Sequence, residues 1–200
     1  QRLLSKASPL MEIYREDSAQ AYNAFLQADA KTSGNRSTIL SSLPLHVATD
    51  ELITRILDHN KISDEEQNLI HQYVSSQREI TEEILLHSSI TESIPILKEE
   101  EFQDFPVLLP LSGMFYEKDI LYTWEDYQEH LELVKVYAAQ HANYHINLSL
   151  VPPFRNIQII IHEGKWVIVS KNKAPAIHFL IRHPKMRNAF ENMVIPVIEE

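Results

Sequence analysis

Three short runs of β-branched residues between Ile157 and His183 constrain the fold more than any other part of the sequence. Each run is bounded by turn residues, a pattern that is typical of strands joined by short connections. Residues Tyr144 to Leu150 alternate apolar and polar side chains and stop before two consecutive prolines, which predicts one further strand. We therefore predict a meander of three antiparallel strands within a four-stranded antiparallel sheet.

Three local signals predict helices around this sheet. Ser63 and Glu66 have the spacing of a capping box, in which each residue satisfies the other's backbone amide. Thr123 is a second N-terminal cap, and Pro184 suits the first position of a last helix. The helices that these signals predict cover about residues 64–87, about residues 124–141, and the chain from residue 184 onward.

The first half of the chain carries weaker patterns. Apolar spacing predicts one helix from Pro9 to about Lys31, and a second helical stretch from Ile39 to Asn60 that Pro44 divides into two short helices. Residues 90–111 hold three prolines and an acidic run, so we predict an irregular connector there. Within it, residues 107–109 are candidates for a short strand.

These elements place the chain in the α+β class. The predicted architecture is an N-terminal helical portion followed by a four-stranded antiparallel sheet flanked by helices. It has a helical linker or dimerisation portion at 1–89, an irregular connector at 90–111, and a sensor-like α+β domain at 112–200.

The turn between the first two strands of the meander sets which side chains share a face. A two-residue turn at Glu163-Gly164 pairs His162 with Lys165, because glycine permits the positive φ that such a turn requires. Directly paired residues lie on the same face of a sheet. The apolar face predicted by this register consists of Ile157, Ile159, Ile161, Trp166, Ile168, Ile177, Phe179 and Ile181.

The opposite face of the predicted sheet has a polar, basic rim. Between Phe154 and Arg187 seven residues are basic and one is acidic, a net charge of +6, whereas the whole chain carries −10. A polar rim around an apolar centre suits a small-ligand pocket or a protein interface. The ligand is predicted to be an anionic small molecule held by His162, Lys165, Lys171, His178 and Arg182.

The basic surface could also serve for packing or for binding nucleic acid. It could pack against the acidic helices of the first half, or against those of a second subunit. It could also contact nucleic acid directly, but the net charge of −10 opposes attraction over the whole surface, so such a contact would be local.

Absent residue types exclude several classes of protein. There is no cysteine, which excludes disulfides and thiolate metal sites. The three glycines are too few and too far apart for the phosphate-binding loops of nucleotide enzymes. No apolar run reaches the roughly 20 residues that span a bilayer, and no signal peptide is visible. We predict a cytoplasmic protein without membrane contact, metal or cofactor.

Two segments, Phe154 to Lys171 and Pro175 to Asn192, carry a family resemblance, together with residues 111–116 and the helix start at Tyr122-Thr123. Residues 107–195 thereby resemble the C-terminal region of helix-turn-helix transcriptional regulators of the Cro/C1 type in Firmicutes. The resemblance implies a DNA-binding domain before Gln1 and a role of this chain in ligand sensing, dimerisation or both. It carries over no catalytic or ligand-binding residues.

The predicted function is therefore that of the regulatory region of a bacterial transcriptional regulator, not that of an enzyme. A ligand would shift the arrangement of two subunits of a homodimer, and DNA would be contacted only through the preceding domain. Two alternatives stay open. One is a hydrolase-type enzyme of unrecognised class, and the other is a pure protein-interaction scaffold.

Overall fold

Seven strands form one sheet in the computed structural model, which describes residues 10–15, 19–104, 119–149, 157–171 and 176–199. The strands are β1 (Met11–Arg15), β2 (Arg36–Ile39), β3 (Ile90–Pro95), β4 (Tyr144–Ser149), β5 (Ile157–His162), β6 (Trp166–Lys171) and β7 (Ile177–Ile181). The helices in the described ranges are α1 (Ala19–Ala30), α2 (Asp50–His59), α3 (Asp64–Leu85), α4 (Glu99–Asp104), α5 (Trp124–Gln140) and α6 (Pro184–Glu199), with a 3-10 turn at Leu45–Val47.

The α+β class is right, but the predicted four-stranded antiparallel sheet is wrong. The sheet is mixed, with the order β1-β7-β6-β5-β2-β3-β4. β2, β3 and β4 are parallel to one another, whereas the other neighbours are antiparallel. Parallel neighbours need long crossover connections, and α2 with α3 supplies the first of them. Strands from all three predicted parts, 1–89, 90–111 and 112–200, thus lie side by side.

The sequence pattern does not predict β1, β2 or β3, because these strands lack a hydrophobic run. β2 is buried throughout although it contains Arg36, Ser37 and Thr38, and β3 contains Glu92 and Ser93. The irregular connector predicted from residue 90 is therefore wrong where β3 lies, at the centre of the parallel part of the sheet. The short strand suggested at 107–109 lies outside the described residues.

The three helices predicted from the caps at Ser63 and Thr123 and from Pro184 are confirmed. The capping box opens α3, with the Ser63 amide donating to Glu66 at 2.9 Å. Thr123 caps α5 by accepting from the Asp126 amide at 3.1 Å, and α6 begins at Pro184.

Two helix predictions in the first half are wrong. The single helix predicted over 9–31 is the strand β1 followed by α1. The stretch 39–60 contains the end of β2, the 3-10 turn and only one α-helix, α2, which Thr49 caps.

The predicted register of the first hairpin is wrong by one residue. His162 pairs with Trp166, not with Lys165, because the turn has three residues and Gly164 occupies its positive-φ position at +72°. One residue of slip moves every side chain of the second strand to the other face. Val167 and Val169 therefore share a face with Ile159, and Trp166 and Ile168 lie opposite.

Helices cover the sheet on two sides. The side that we call the outer face carries Ile39, Ile159, Ile161 and Val167, and α6 packs on it through Val194. The other side, the inner face, carries Glu92, Ile160, Trp166, Ile168 and His178 and is covered by α1, α2, α3 and α5. The inner layer holds most of the buried polar side chains.

Candidate functional site

The five residues predicted to bind an anionic ligand are spread over separate places. His162 and His178 lie on the inner face at opposite ends of the strands, because His178 aligns with Ser170 near the other end of β6. Lys165 lies in the turn between β5 and β6, and Lys171 lies on the outer face at the end of β6. Arg182 follows β7. No single surface of the described ranges collects all five.

Several of these side chains already contact other parts of the protein. His162 is fully buried, and its Nδ1 lies 3.0 Å from Asp29. Arg182 donates to Glu12 at 2.6 Å. Lys165 donates at 2.8 Å to a backbone carbonyl in the loop after α1. The charged groups of Arg182 and Lys165 thus already have partners within the chain.

A buried ion cluster ties the C-terminal end of α1 to three strands. The Asp29 carboxylate accepts from Arg36 of β2 at 2.8 Å, contacts His162 of β5, and accepts from the Trp166 indole of β6 at 2.8 Å. Burial on its own would raise the pKa of Asp29, but hydrogen bonds from His162 and Trp166 and the charge of Arg36 hold this pKa below its usual value. This cluster stabilises the fold around one end of the inner face.

Gly34 lies against this cluster at a φ of +131°, and a Cβ atom there would lie 2.4 Å from His162 Nε2. We expect Gly34→Ala to lower the free energy of unfolding by about 3 kcal/mol, because backbone strain and overlap with a buried ring add together. Urea denaturation measures this loss. Gly164→Ala is the matched control: its φ is also positive at +72°, but its Cβ would meet nothing within 4 Å, so we expect only about 1 kcal/mol. Equal losses in the two variants would mean that overlap with His162 adds nothing.

A cavity of about 150 Å³ lies between the inner face, α1, α3 and the 3-10 turn. The sheet forms the floor of this cavity. Thr38 pairs with both Glu92 and Ile160, and paired residues share a face, so these three side chains lie side by side on the inner face. Helical residues of α1 and α3 form its roof. The polar lining includes Tyr22, Thr38, His46, Glu92, Ser170 and His178.

Glu92 is the unusual group in this cavity. It is 7% exposed, and its carboxylate accepts a short hydrogen bond from the Tyr144 hydroxyl. Burial raises the pKa of Glu92 to about 7, and the hydrogen bond from Tyr144 opposes that rise only in part. Among the described residues it forms no ion pair. A carboxyl group that is half ionised near neutrality therefore lines the cavity.

Two histidines of the cavity are neutral. His178 stacks on Tyr22 with ring centroids 4.1 Å apart, and its Nδ1 lies 2.7 Å from Ser170 Oγ. Burial lowers the pKa of His178 to about 4 and that of His46 to about 3. The Nε2 atom of His46 is buried and has no hydrogen-bond partner in the described part of the chain. Both rings therefore offer hydrogen bonds without carrying charge.

The sequence predicted only part of this site. His178 is among the predicted ligand residues, but Glu92 lies in the segment predicted as an irregular connector, and His46 follows the proline that predicted only a helix break. The only strand signal in this segment was weak: the β-branched residues Ile90, Thr91 and Ile94 lie on either side of Glu92, without an apolar alternation.

Metal ligands and membrane-spanning helices are both absent from the described ranges. These ranges contain no group of three or more histidine, aspartate or glutamate side chains placed to hold a metal ion. None of their helices combines the length and the apolar content that a bilayer crossing requires.

The comparisons with known proteins identify no relative. The sequence matches no family model, no curated protein and no solved structure. Function must therefore be inferred from the site itself.

Proposed function

We propose that this chain is the ligand-sensing regulatory region of a cytoplasmic bacterial transcriptional regulator of the Cro/C1 type, in which a separate domain contacts DNA. The observation that carries the proposal is buried Glu92, which has no ion-pair partner among the described residues and lines a cavity that a small molecule can fill. The sequence resemblance over residues 107–195 supports the regulatory context.

The size of the cavity sets the size of the ligand. A cavity of 150 Å³ in an apolar core accommodates benzene, a ligand of about six heavy atoms. The cavity beside Glu92 has the same volume but a lining that mixes apolar and polar side chains, so it suits a small molecule with an apolar body and a polar group.

The position of the cavity also suits sensing. It lies between the sheet and the helices α1 and α3, so a bound molecule would contact both layers. A ligand shifts an equilibrium only by its difference in affinity for the two states. A site between two layers provides such a difference whenever the layers move relative to each other.

A cavity-filling variant tests whether this cavity binds ligands. Thr81 of α3 is 8% exposed and lines the cavity, so we expect Thr81→Met to occupy the space that a ligand needs. The matched control is Ser75→Met, an exposed position on the same helix. Thermal unfolding is measured with small amines, alcohols and carboxylates of about six heavy atoms.

We expect at least one of these compounds to raise the unfolding temperature of the unmodified chain and of Ser75→Met, but not that of Thr81→Met. A rise that persists in Thr81→Met would place binding elsewhere. No rise with any compound would remove the support for a sensor.

The proposal includes a homodimer, and an exposed apolar patch supports it. Leu10, Met11, Ile13 and Phe179 are between 36% and 55% exposed, and Ile13 pairs with Phe179 on the outer face of β1 and β7. The main contacts of α6 with the sheet are with β2, β3 and β6, not with β1 or β7. A contiguous apolar patch on an edge strand is typical of an association site, and here we propose a second copy of the chain.

We expect Ile13→Lys to convert the dimer to a monomer, because a buried lysine would lack a partner at the interface. Light scattering after gel filtration measures the mass. Leu86→Lys is the control, since Leu86 is 76% exposed at the end of α3, far along the chain from the patch. A dimer that survives Ile13→Lys, or a monomeric parent chain, would contradict this part of the proposal.

An enzyme is the second candidate, and one observation favours it. A carboxyl group with a pKa of about 7 suits general acid–base catalysis at neutral pH. The two functions differ in the fate of the bound compound. A sensor returns it unchanged, whereas an enzyme yields a product that mass spectrometry detects after incubation.

A further inference from the structure

We infer that the cavity binds a small protonated amine whose ammonium group donates hydrogen bonds to the Glu92 carboxylate. This inference rests on the proposed function, because it takes the cavity to be a ligand site. It concerns the chemical class of the ligand, which the charges around the cavity determine.

Glu92 is the group with which the ligand would pair. Its carboxylate has one donor, the Tyr144 hydroxyl, and 7% of its surface is exposed. An ionised carboxylate at such a site normally has a cationic partner or several donors. Neither is present among the described residues, so the ionised group would gain from a cation that enters the cavity.

The other titratable groups around the cavity do not supply that cation. Arg36 is the only lysine or arginine side chain of the described lining, and its guanidinium is held at 2.8 Å by Asp29 and by backbone carbonyls. Arg78, which packs near His46, pairs with Asp50 at 2.8 Å. The titratable residues of the lining, besides Glu92, are Tyr22, Asp29, Arg36, His46, Tyr73 and His178.

The remaining titratable groups that the structure describes near Glu92 are uncharged at neutral pH. Burial keeps His46 and His178 neutral and raises the pKa of both Tyr144 and Tyr137, the phenols that face Glu92 from β4 and α5. With Arg36 balanced by Asp29, ionised Glu92 gives the described lining of the cavity a net charge of −1. An anionic ligand would be repelled there, whereas an ammonium group would be attracted.

Two further features suit an amine. The ring of Tyr73 belongs to the lining, and tyrosine faces attract cations. His46 lines the same cavity, and its buried Nε2 has no partner in the described residues. A neutral imidazole nitrogen of this kind can accept a second hydrogen bond from the ligand, so an amine with a second polar group would bind more tightly than a simple alkylamine.

Binding of an amine should depend on pH in a defined direction. The ammonium group pairs with the ionised form of Glu92, whose pKa is about 7, while the amine stays protonated throughout this range. Below that pKa the ligand must displace a proton. Affinity should therefore rise by about tenfold between pH 6 and pH 8, the ratio of the ionised fractions of Glu92 at those values.

The test compares three four-carbon probes of similar size and different charge: n-butylamine, n-butanol and butyrate. Binding to the 200-residue chain is measured by NMR titration at pH 6 and pH 8, and then repeated with Glu92→Gln. Glu79→Gln is the control, because Glu79 is an exposed glutamate on α3.

We expect n-butylamine to bind in preference to the other two probes, about tenfold more tightly at pH 8 than at pH 6. Binding should be lost in Glu92→Gln and retained in Glu79→Gln. Amine binding that persists in Glu92→Gln would overturn the inference. Butanol or butyrate binding that is at least as tight as that of n-butylamine and that Thr81→Met blocks would also overturn it, yet would leave the proposed sensor function in place. If none of the three probes binds, the inference fails, and the wider compound set tested with Thr81→Met decides the sensor function separately.

Discussion

Replacing Asp29 with alanine is expected to lower the free energy of unfolding by roughly 3 to 5 kcal/mol, the loss typical of breaking a buried ion pair by removing one partner. The carboxylate is 11% exposed and is the shared acceptor for Arg36, His162 and Trp166. Its removal leaves the Arg36 guanidinium, 4% exposed, without its counter-charge. Urea denaturation followed by tryptophan fluorescence measures the loss, since Trp166 donates directly to Asp29.

Asp58→Ala is the control for this prediction. Asp58 is exposed and its carboxylate accepts a hydrogen bond from Gln67 at 2.8 Å, so its removal should cost well under about 1 kcal/mol. The pKa of Asp29 lies below its usual value of 3.8, so its contribution is present above that pH and is lost as the pH falls below it. A loss that is no larger in Asp29→Ala than in Asp58→Ala would refute the stabilising role of the cluster.

Replacing Glu92 with glutamine is expected to stabilise the protein, by roughly 3 kcal/mol above pH 7. Burial raises the pKa of Glu92 from the usual 4.5 to about 7, so the folded state holds a proton that the unfolded state has already lost. The stability of the parent chain therefore falls as the pH rises from 4.5 through 7. Glutamine cannot ionise, and it can still accept the hydrogen bond from Tyr144.

Unfolding free energies measured between pH 5 and pH 8 check the sign of this effect. The difference in unfolding free energy between Glu92→Gln and the parent chain should grow with pH. The difference between Glu79→Gln and the parent chain should be small and should not show this growth. A constant difference across this range would mean that Glu92 does not titrate there.

The effects of Glu92→Gln on stability and on amine binding together bear on function. A residue that lowers stability at neutral pH in the absence of a partner is typical of functional sites, where activity and stability compete. If Glu92→Gln stabilises the chain and abolishes amine binding, the same carboxylate accounts for both results, because an ammonium group supplies the charge that the folded chain lacks.

The sequence predicts elements whose signals are local. The capping box at Ser63 and Glu66 and the cap at Thr123 each need only neighbouring residues, and both helices begin where these caps place them. The β-branched runs of the meander likewise predict β5, β6 and β7. The register of the meander, by contrast, depended on whether Lys165 belongs to the turn or to the strand. That single residue decided whether Trp166 lies over Asp29 or on the outer face.

The sequence by itself therefore determined the α+β class, the capped helices and the strands of the second half. The tertiary structure alone decided that β2 and β3 are interior strands of a mixed sheet, between β5 and β4, and that Glu92 lines a cavity. The physical reason is that a strand such as β3, with Glu92 and Ser93 among its residues, has no apolar pattern of its own. It is buried because its neighbours β2 and β4 satisfy its backbone hydrogen bonds and Tyr144 donates to its carboxylate, partners that lie more than 50 positions away along the chain.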